Sequence, residues 1–409
     1  MKNYLKFVIV GHVDHGKSTL IGRLLFDTKS IPQSKIDEVK EVCESLGKPF
    51  EFAYLMDYLE EEREKNITID TTQTFFKTEK RDYVIIDAPG HKEFLKNMIT
   101  GSALAEAAIL IIDAKEGVQE QTKRHAYILQ LLNLSQLIVV INKMDLVNYK
   151  QQRFKEVKNE ILTHLDILKL KPNYIIPISA KEGDFVDKKS QKIEWYNGPA
   201  VLEALDSFKP RVAPVNLPLR FPVQDIYEID GEKIIVGRVE SGLIKQNQEI
   251  IFFPDGKKSK VKAIKKWRQE LAVAETGHCV GITLVDDIDV ERGQIISETE
   301  NRPHITDKFT STIFWMSRES HKINEPITFK CVTQEIKAKI KKIHKLMDSS
   351  TLETIKDRTD EIRETEVAKV EIETDKKIAI EDFSYIPELG RFVLEKNDEI
   401  VAGGIITLE

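Results

Sequence analysis

Residues 6–25 read KFVIV-GHVDHGKS-TLIGRLL, and this stretch decides the fold of the first half of the chain. Its centre matches G-x-x-x-x-G-K-[ST], the pattern of a phosphate-binding loop. The apolar run before the loop predicts a buried strand, and the residues after it predict a helix. Because the pattern has a strand and a helix on its two sides, a chance match in a glycine-containing turn is the weaker interpretation.

The chemistry of this loop follows from its residue types. Gly11 and Gly16 let the backbone turn so that its N–H groups face phosphate oxygens. Lys17 brings a full positive charge to the outer phosphates, and the Ser18 hydroxyl can ligate Mg²⁺. The predicted phosphate site comprises Gly11, His12, Val13, Asp14, His15, Gly16, Lys17, Ser18 and Thr19.

Apolar runs recur along residues 1–208, with helical patterns between most of them. The runs are Phe7–Val10, Tyr83–Ile86, Ala108–Ile112, Leu137–Ile141 and Tyr174–Ile178. Strands alternating with helices predict a doubly wound, mostly parallel sheet that is covered on both faces. Ligands of such sheets gather at the carboxyl ends of the strands, so we expect the motifs that follow these runs to share one site.

The segment Asp87-Ala-Pro-Gly90-His91 follows the second apolar run. Asp87 can hold a water of the Mg²⁺ shell, and the N–H of Gly90 can approach a γ-phosphate because no side chain blocks it. His91 can orient an attacking water. Standing alone, the segment indicates a plain turn. Downstream of a phosphate loop, it predicts the part of the site that faces the terminal phosphate.

The segment Asn142-Lys143-Met144-Asp145 follows the fourth run and has the chemistry to select guanine. The Asp145 carboxylate can accept two hydrogen bonds, from N1–H and the 2-amino group of guanine. Adenine lacks this donor pair, so ATP would leave the carboxylate unpaired and be rejected by about 10⁴. Asn142 would tie the loops together, and the stem of Lys143 would cover the base plane.

Two weaker signals complete the predicted site. Ser179, Ala180 and Lys181 follow the fifth run, where backbone N–H groups can meet the carbonyl oxygen of guanine. Thr68 can complete Mg²⁺ coordination only while a γ-phosphate is present, which is the order–disorder switch of GTPases. The charges of Glu60–Lys65 just before it indicate a solvated helix face.

Residues 209–409 carry short alternating runs in place of the strand–helix pattern. Pro210, Pro214 and Pro218 indicate a linker. Evenly spaced strands with turn signals predict β-barrels, one over residues 209–302 and one over residues 303–409. The runs behind this prediction are Leu219–Val223, Ile234–Val239, Glu249–Phe253, Lys260–Ile264, Ile336–Ile340 and Ala368–Ile372.

A lysine cluster in the last domain has two interpretations. It consists of Lys337, Lys339, Lys341, Lys342 and Lys345. It could bind nucleic acid, or it could be a solvated edge strand whose lysines prevent aggregation, and we favour the edge strand. Acidic residues between Glu361 and Glu373 argue against a broad basic surface.

The composition of the 409 residues is that of an ordinary globular protein, with 31% charged residues and a net charge of −6. This charge gives no overall field for nucleic acid. No run of about 18 apolar residues and no signal-peptide pattern occurs, so we expect a cytoplasmic protein without a membrane span. Cys43, Cys279 and Cys331 form no disulfide framework or metal pattern. We expect Cys279 to be buried in a strand and not to act as a ligand with His278.

Together the motifs resemble the translational GTPase superfamily, of the elongation factor Tu and 1-alpha type, over essentially the whole chain. The resemblance implies a P-loop GTPase domain, two β-barrels, and GTP or GDP with Mg²⁺. Asn66 departs from the glycine that is usual before Ile67-Thr68. The implied roles are catalysis for Lys17, Thr68 and His91, magnesium ligation for Ser18, Thr68 and Asp87, and nucleotide binding for Lys17, Asp87, Gly90, Asn142, Lys143, Asp145, Ser179, Ala180 and Lys181.

Finer details divide between two branches of this superfamily. Leu25–Lys29, Gly281–Leu284, Asp287–Gly293 and Thr312–Met316 resemble the GTPase subunit of sulfate adenylyltransferase. On this basis we expect a subunit that couples GTP hydrolysis to adenylylsulfate synthesis from ATP and sulfate. Its partner would be a small catalytic subunit of the ATP pyrophosphatase type, and nucleic acid would not bind.

The alternative is an elongation factor 1-alpha-like protein that delivers aminoacyl-tRNA to the ribosome. His12, His15 and the segment Lys92-Glu93-Phe94 resemble this second branch.

Overall fold

The structure is a computed structural model, and it describes residues 4–45, 47, 50–55, 73–86, 105–209, 215–229, 231–267, 269–355 and 359–408. The predicted site residues Thr68, Asp87, Gly90 and His91 lie outside this set. The described residues up to 209 form one compact unit, and those from 215 onward form another.

The first unit is built on a six-stranded sheet in the order β2-β3-β1-β4-β5-β6. Four neighbouring pairs are parallel, and β2 runs antiparallel to β3 at one edge. The α/β prediction is therefore confirmed. The strands are β1 (Tyr4–Gly11), β2 (Gln73–Lys77), β3 (Asp82–Ile86), β4 (Ala107–Asp113), β5 (Leu137–Asn142) and β6 (Tyr174–Pro177).

Helices cover the two faces of this sheet, which explains why its central strands read as continuous apolar runs. Every residue of β4 and β5 is buried. The helices are α1 (Lys17–Asp27), α2 (Gln33–Ser45), α3 (Glu120–Leu131), α4 (Gln151–Ile167) and α5 (Val201–Ser207), with short 3₁₀ helices at Met144–Val147 and Gln191–Ile193.

The second unit begins with a closed six-stranded barrel in the order β10-β15-β7-β8-β14-β11. The barrel closes because β10 pairs with both β15 and β11. Strand β12 pairs with β11, and β9 pairs with β13. The strands are β7 (Phe221–Ile229), β8 (Glu232–Arg238), β9 (Leu243–Lys245), β10 (Glu249–Phe253), β11 (Lys257–Lys266), β12 (Gln269–Leu271), β13 (Val273–Glu275), β14 (Cys279–Leu284) and β15 (Ile295–Ser297).

A second closed barrel follows in the order β16-β21-β19-β18-β22-β23, with β23 pairing back to β16. Both predicted barrels are therefore confirmed. The elements are β16 (His304–Trp315), β17 (His321–Lys322), β18 (Pro326–Cys331), β19 (Gln334–Asp348), β20 (Glu361–Ile362), β21 (Glu366–Ile380), α6 (Pro387–Gly390), β22 (Arg391–Lys396) and β23 (Glu399–Ile406).

The lysine cluster lies on β19, and its interpretation as an edge strand is wrong. Strand β19 pairs with β18 on one side and with β21 on the other, and a closed barrel has no edge. In the β21 register, Lys339 lies opposite Glu373 and Lys342 lies opposite Glu371. Acidic residues of β21 therefore lie beside these lysines.

The burial predicted for Cys279 is also wrong, because its side chain is exposed. Cys279 opens β14, and Val280 beside it is buried in the barrel core. Successive side chains of a strand point to opposite faces, so Cys279 faces outward. Cys43 and Cys331 are buried.

The two barrels share a buried ion pair. Arg220, next to β7, has one nitrogen 2.5 Å from Oε1 of Glu381, which follows β21. Its Nη1 donates to the carbonyl oxygens of Leu219 and Asn301 and to the hydroxyl of Ser297. The guanidinium group is thus held by both barrels.

Within the described ranges, no helix is both long and apolar enough to cross a membrane.

Candidate nucleotide site

The phosphate loop connects β1 to α1, and its two glycines are required by close packing. Gly16 has φ of 93°, in the left-handed region. A Cβ atom on Gly16 would lie 2.4 Å from Nδ2 of Asn142, and one on Gly11 would lie 2.4 Å from the carbonyl oxygen of Ile111. Side chains at these two positions would collide with Ile111 and Asn142, so only glycine lets the loop pack this closely against β4 and β5.

Lys17 is the first residue of α1, and its ammonium group is held against the loop. Nζ donates to the carbonyl oxygens of Gly11 at 3.0 Å and His12 at 2.9 Å. Ser18 is exposed, and Thr19 is partly buried in the same first turn. The N-terminus of a helix adds partial positive charge to the lysine charge, which suits phosphate oxygens.

Asn142 joins three loops at the carboxyl edge of the sheet. Its Nδ2 donates to the carbonyl oxygen of His15 in the phosphate loop at 2.9 Å. Its Oδ1 accepts from the backbone N–H of Ala180 at 2.9 Å. Asn142 is 2% exposed, so both bonds are shielded from water. The phosphate loop and the two predicted base loops are thereby brought together.

The carboxylate of Asp145 is oriented by Ser179. Oδ1 of Asp145 accepts a hydrogen bond from the Ser179 hydroxyl at 2.6 Å. Ser179 is completely buried, whereas Asp145 is partly exposed and Lys181 is exposed. The backbone N–H of Met144 donates to the carbonyl oxygen of Ile178, which fixes the two base loops side by side.

Lys143 forms an ion pair that the sequence analysis missed. Its backbone is left-handed, with φ of 58°, and its Nζ lies 2.8 Å from Oδ2 of Asp113. Asp113 ends β4 and is 2% exposed. Burial alone would raise the pKa of Asp113, but hydrogen bonds from Lys143 and from backbone N–H groups outweigh burial and lower it. The sequence did hold a signal that could have identified Asp113, because this acidic residue follows an apolar run that ends at the ligand edge of the sheet.

His15 supports the loop from beneath. Its side chain is completely buried, and its Nδ1–H donates to the carbonyl oxygen of Ile111 at 3.3 Å. Burial lowers the pKa of His15, although Glu116 lies 3.4 Å from its Nε2. The neutral ring packs against His12 at 5.1 Å between centroids. The buried side chain of His15 therefore supports the shape of the loop.

The described residues fit a guanine nucleotide with Mg²⁺. The loop from Gly11 to Gly16 and the N-terminus of α1 can serve the phosphates, and Ser18 offers a hydroxyl ligand for the metal. Asp145 presents an oriented carboxylate to a base. The other predicted magnesium ligands, Thr68 and Asp87, and the water-positioning candidate His91 lie outside the described residues.

This phosphate loop, joined by one asparagine to a guanine-type loop and followed by two closed barrels, defines a P-loop GTPase of the translational type. Residues 2–211 match the elongation factor Tu GTP binding domain family, and residues 308–407 match the GTP-eEF1A C-terminal domain-like family. The chain belongs to the elongation factor Tu/1-alpha family of GTPases, which bind GTP and GDP with Mg²⁺.

Relatives match along almost the whole chain. Elongation factor 1-alpha of Thermoplasma volcanium is 40% identical over 98% of this chain and 97% of the relative. Elongation factor 1-alpha of Thermococcus kodakarensis is 40% identical over 99% of this chain and 97% of its own. The Pyrococcus furiosus protein of the same name is 39% identical, with the same two coverages.

These relatives overturn the sulfate adenylyltransferase prediction, together with the small catalytic subunit predicted as its partner and the exclusion of nucleic acid. The structure explains part of the error. Gly281–Leu284 lies in β14, and Thr312–Trp315 ends β16, with Met316 following it. Ile313 through Met316 are all buried, so these two segments report how a barrel core is packed, and two branches with the same barrels can share them. The segment Asp287–Gly293 is mostly exposed and has no such explanation. A net charge of −6 likewise describes the whole chain and no particular surface.

Proposed function

We propose that the chain is a GTP-dependent translation elongation factor of the 1-alpha type, which carries aminoacyl-tRNA to the ribosome in the cytoplasm. The observation that carries this proposal is the extent of the similarity to elongation factors 1-alpha, at 40% identity over 98% of this chain and 97% of the relative. The match includes the barrels as well as the GTPase domain. A similarity confined to the GTPase domain would support nucleotide binding alone.

The proposed work of the site is divided among its loops. Lys17 and the loop N–H groups hold the β- and γ-phosphates, and Asp145 selects guanine. Ser18, Thr68 and Asp87 hold Mg²⁺, which neutralises charge on the phosphates. His91 orients the water that attacks the γ-phosphate. These roles are carried from the motifs, and Asp145 has the additional support of its bond to Ser179.

Carrier activity requires that the affinity for aminoacyl-tRNA depend on whether GTP or GDP is bound. We propose that Thr68 and His91 lie on segments whose conformation depends on the γ-phosphate, so hydrolysis changes both together. The GTP form would bind aminoacyl-tRNA, and the GDP form would release it. A coupling of this kind between two ligands is typically 5- to 150-fold in affinity, or about 1–3 kcal/mol.

The test compares the full chain loaded with a non-hydrolysable GTP analogue or with GDP. The readout is protection of the aminoacyl ester of tRNA against spontaneous hydrolysis, with deacylated tRNA as competitor. We expect protection at least about 10-fold stronger in the GTP form and little competition by deacylated tRNA. Equal protection in both nucleotide states, or none, would refute the carrier function.

The matched control for the nucleotide state is Asp145→Asn. The amide at this position should accept xanthine nucleotides in place of guanine nucleotides, because it offers a donor where xanthine has a carbonyl. Protection by this variant should then depend on xanthosine triphosphate and not on GTP. This result would tie tRNA binding to the nucleotide held at Asp145.

A further inference from the structure

We infer that Asp113 is a positioning residue for guanine recognition, because it fixes Lys143 of the base loop from the neighbouring strand. The inference rests on the proposed role of the Asn142–Asp145 loop in binding the base. It adds a residue that none of the predicted motifs contains, at the end of the one strand to which the sequence analysis assigned no motif.

Asp113 uses its two carboxylate oxygens for different purposes. Oδ1 accepts hydrogen bonds from the backbone N–H groups of Lys115 at 2.6 Å and Glu116 at 3.3 Å, which closes the turn after β4. Oδ2 lies 2.8 Å from Nζ of Lys143. The turn therefore fixes the carboxylate, and the carboxylate fixes the lysine.

The turn itself is anchored by two neighbouring elements, β5 and α4. Asp113 pairs with Asn142 in the parallel register of β4 and β5, and the N–H of Ala114 donates to the carbonyl oxygen of Asn142 at 2.8 Å. Nε of Arg153 on α4 donates to the carbonyl oxygen of Ala114 at 2.7 Å. Asp113 is thus attached to rigid elements, as a group that positions another must be.

Lys143 needs such a partner because its position is conformationally demanding. Its backbone is left-handed at φ of 58°, which a non-glycine residue adopts rarely. Its side chain is 29% exposed, so without a partner its flexible stem would sample several rotamers. The ion pair orders the stem before a nucleotide binds, and pre-ordered contacts lose less affinity to conformational entropy.

The same turn also reaches the phosphate loop. Glu116 lies three residues after Asp113 in the chain. Its Oε2 is 3.4 Å from Nε2 of His15. Asp113 therefore sits in a turn that contacts the loops for both ends of a nucleotide. Its direct effect should nonetheless fall on the base, because Lys143 belongs to the base loop.

The experiment measures equilibrium affinity for GDP, GTP and ATP in the full chain and in Asp113→Asn, Lys143→Met and the double variant. Asparagine keeps an acceptor for the turn and removes the charge that faces Lys143. We expect Asp113→Asn to weaken GDP and GTP binding about 10-fold, with a smaller loss for ATP. The double variant should bind no more weakly than Lys143→Met alone, because both changes remove one interaction.

The matched control is Asp27→Asn, which makes the same change in another ion pair of this unit. Oδ2 of Asp27 lies 2.9 Å from Nε of Arg23 on α1. We expect this control to bind GDP like the parent chain. If Asp113→Asn does not fold, Asp113→Ser retains an acceptor for the N–H of Lys115 and serves in its place.

Additive losses in the double variant, or parent-like binding by Asp113→Asn, would overturn the positioning role. These outcomes are separate from failure of the proposed function. A parent chain that prefers GTP to ATP but does not protect aminoacyl-tRNA would refute the carrier function and leave the role of Asp113 intact.

Discussion

Two ion pairs, one in each unit of the molecule, show how the same chemistry serves different ends. The side chains of Arg220 and Glu381 are 2% and 8% exposed, and Arg220 also donates to three further oxygens. In the pair of Lys143 and Asp113, the carboxylate is 2% exposed but the lysine is 29% exposed. The first pair is saturated and joins two barrels, whereas the second presents one open side to a ligand.

The comparison suggests that the exposure of the cationic partner separates a structural pair from a functional one. A cation enclosed by protein acceptors can contribute only to stability, since no ligand reaches it. A cation held by one buried carboxylate and open on its other side can be ordered in advance for a ligand. Changes in the two regions should therefore affect different measurements.

The largest loss of stability is expected for Arg220→Met. The substitution leaves the carboxyl of Glu381 buried without its partner, and breaking a buried pair in this way costs about 3–5 kcal/mol. Burial already raises the pKa of Glu381, so the loss should shrink as the pH falls and this carboxyl takes up a proton. Urea unfolding of the variant and the parent chain at several pH values measures this loss of unfolding free energy.

The control for this loss is Arg238→Met, because the side chain of Arg238 is 46% exposed and lies 3.9 Å from Glu240. Because this cation is largely in water, although the Glu240 side chain is only 13% exposed, its removal should cost less than the removal of Arg220. Equal losses for the two arginine variants would show that exposure does not separate the two kinds of pair.

The next effect concerns His321, a buried ionisable group without a saturating partner. Burial lowers its pKa to about 4, against an attraction to Glu325 at 3.6 Å. The unfolded chain binds this proton near pH 6.5 and the folded chain only near pH 4, so stability falls as the pH drops through that window. The loss should reach about 3 kcal/mol, at 1.36 kcal/mol per unit of pKa difference.

Two measurements follow the protonation of His321. The Trp315 ring lies 5.1 Å from the His321 ring, so its fluorescence should change as the imidazole gains a proton. In His321→Phe the stability of the chain should fall less steeply between pH 6.5 and pH 4. An unchanged slope in that variant would assign the pH dependence to other groups.

An intermediate loss is expected for Asn142→Ala. The substitution leaves the N–H of Ala180 and the carbonyl oxygen of His15 without their present partners, which should cost about 2 kcal/mol. GDP affinity should fall as well, because the phosphate and base loops lose their link. Asn159→Ala on the exposed side of α4 is the control and should change neither property.

The smallest effect on stability is expected for Asp145→Asn. The amide oxygen can still accept from the Ser179 hydroxyl, so the unfolding free energy should stay within about 0.5 kcal/mol of the parent. GDP affinity should nevertheless fall by at least about 10-fold. A loss of stability comparable to that of Arg220→Met would mean that the nucleotide loops also hold the unit together.

The sequence predicted those features that a short stretch determines by itself. Continuous apolar runs identified β1 and β3 through β6, and motif spacing brought Asn142 and Ser179 into the site. Pairing partners depend on distant segments, so the edge strand β2 and the closed position of β19 were not predicted correctly. Asp113 was missed because its ion pair depends on the position of Lys143, which follows the neighbouring strand β5. The subfamily was misjudged in part because two segments that pack in the barrels, Gly281–Leu284 and Thr312–Met316, were taken as functional signals.

The two hydrogen bonds of Asn142 also bear on the deamidation of this residue. Deamidation of an asparagine converts its side-chain amide to a carboxylate, which has acceptors only. At position 142 the group facing the carbonyl oxygen of His15 would change from a donor to a charged acceptor, and the two loops would repel each other there. In the folded chain the amide is 2% exposed and bonded at both ends, so it is shielded from this reaction. The fold thus protects a side chain whose slow chemical loss would separate the phosphate loop from the base loop.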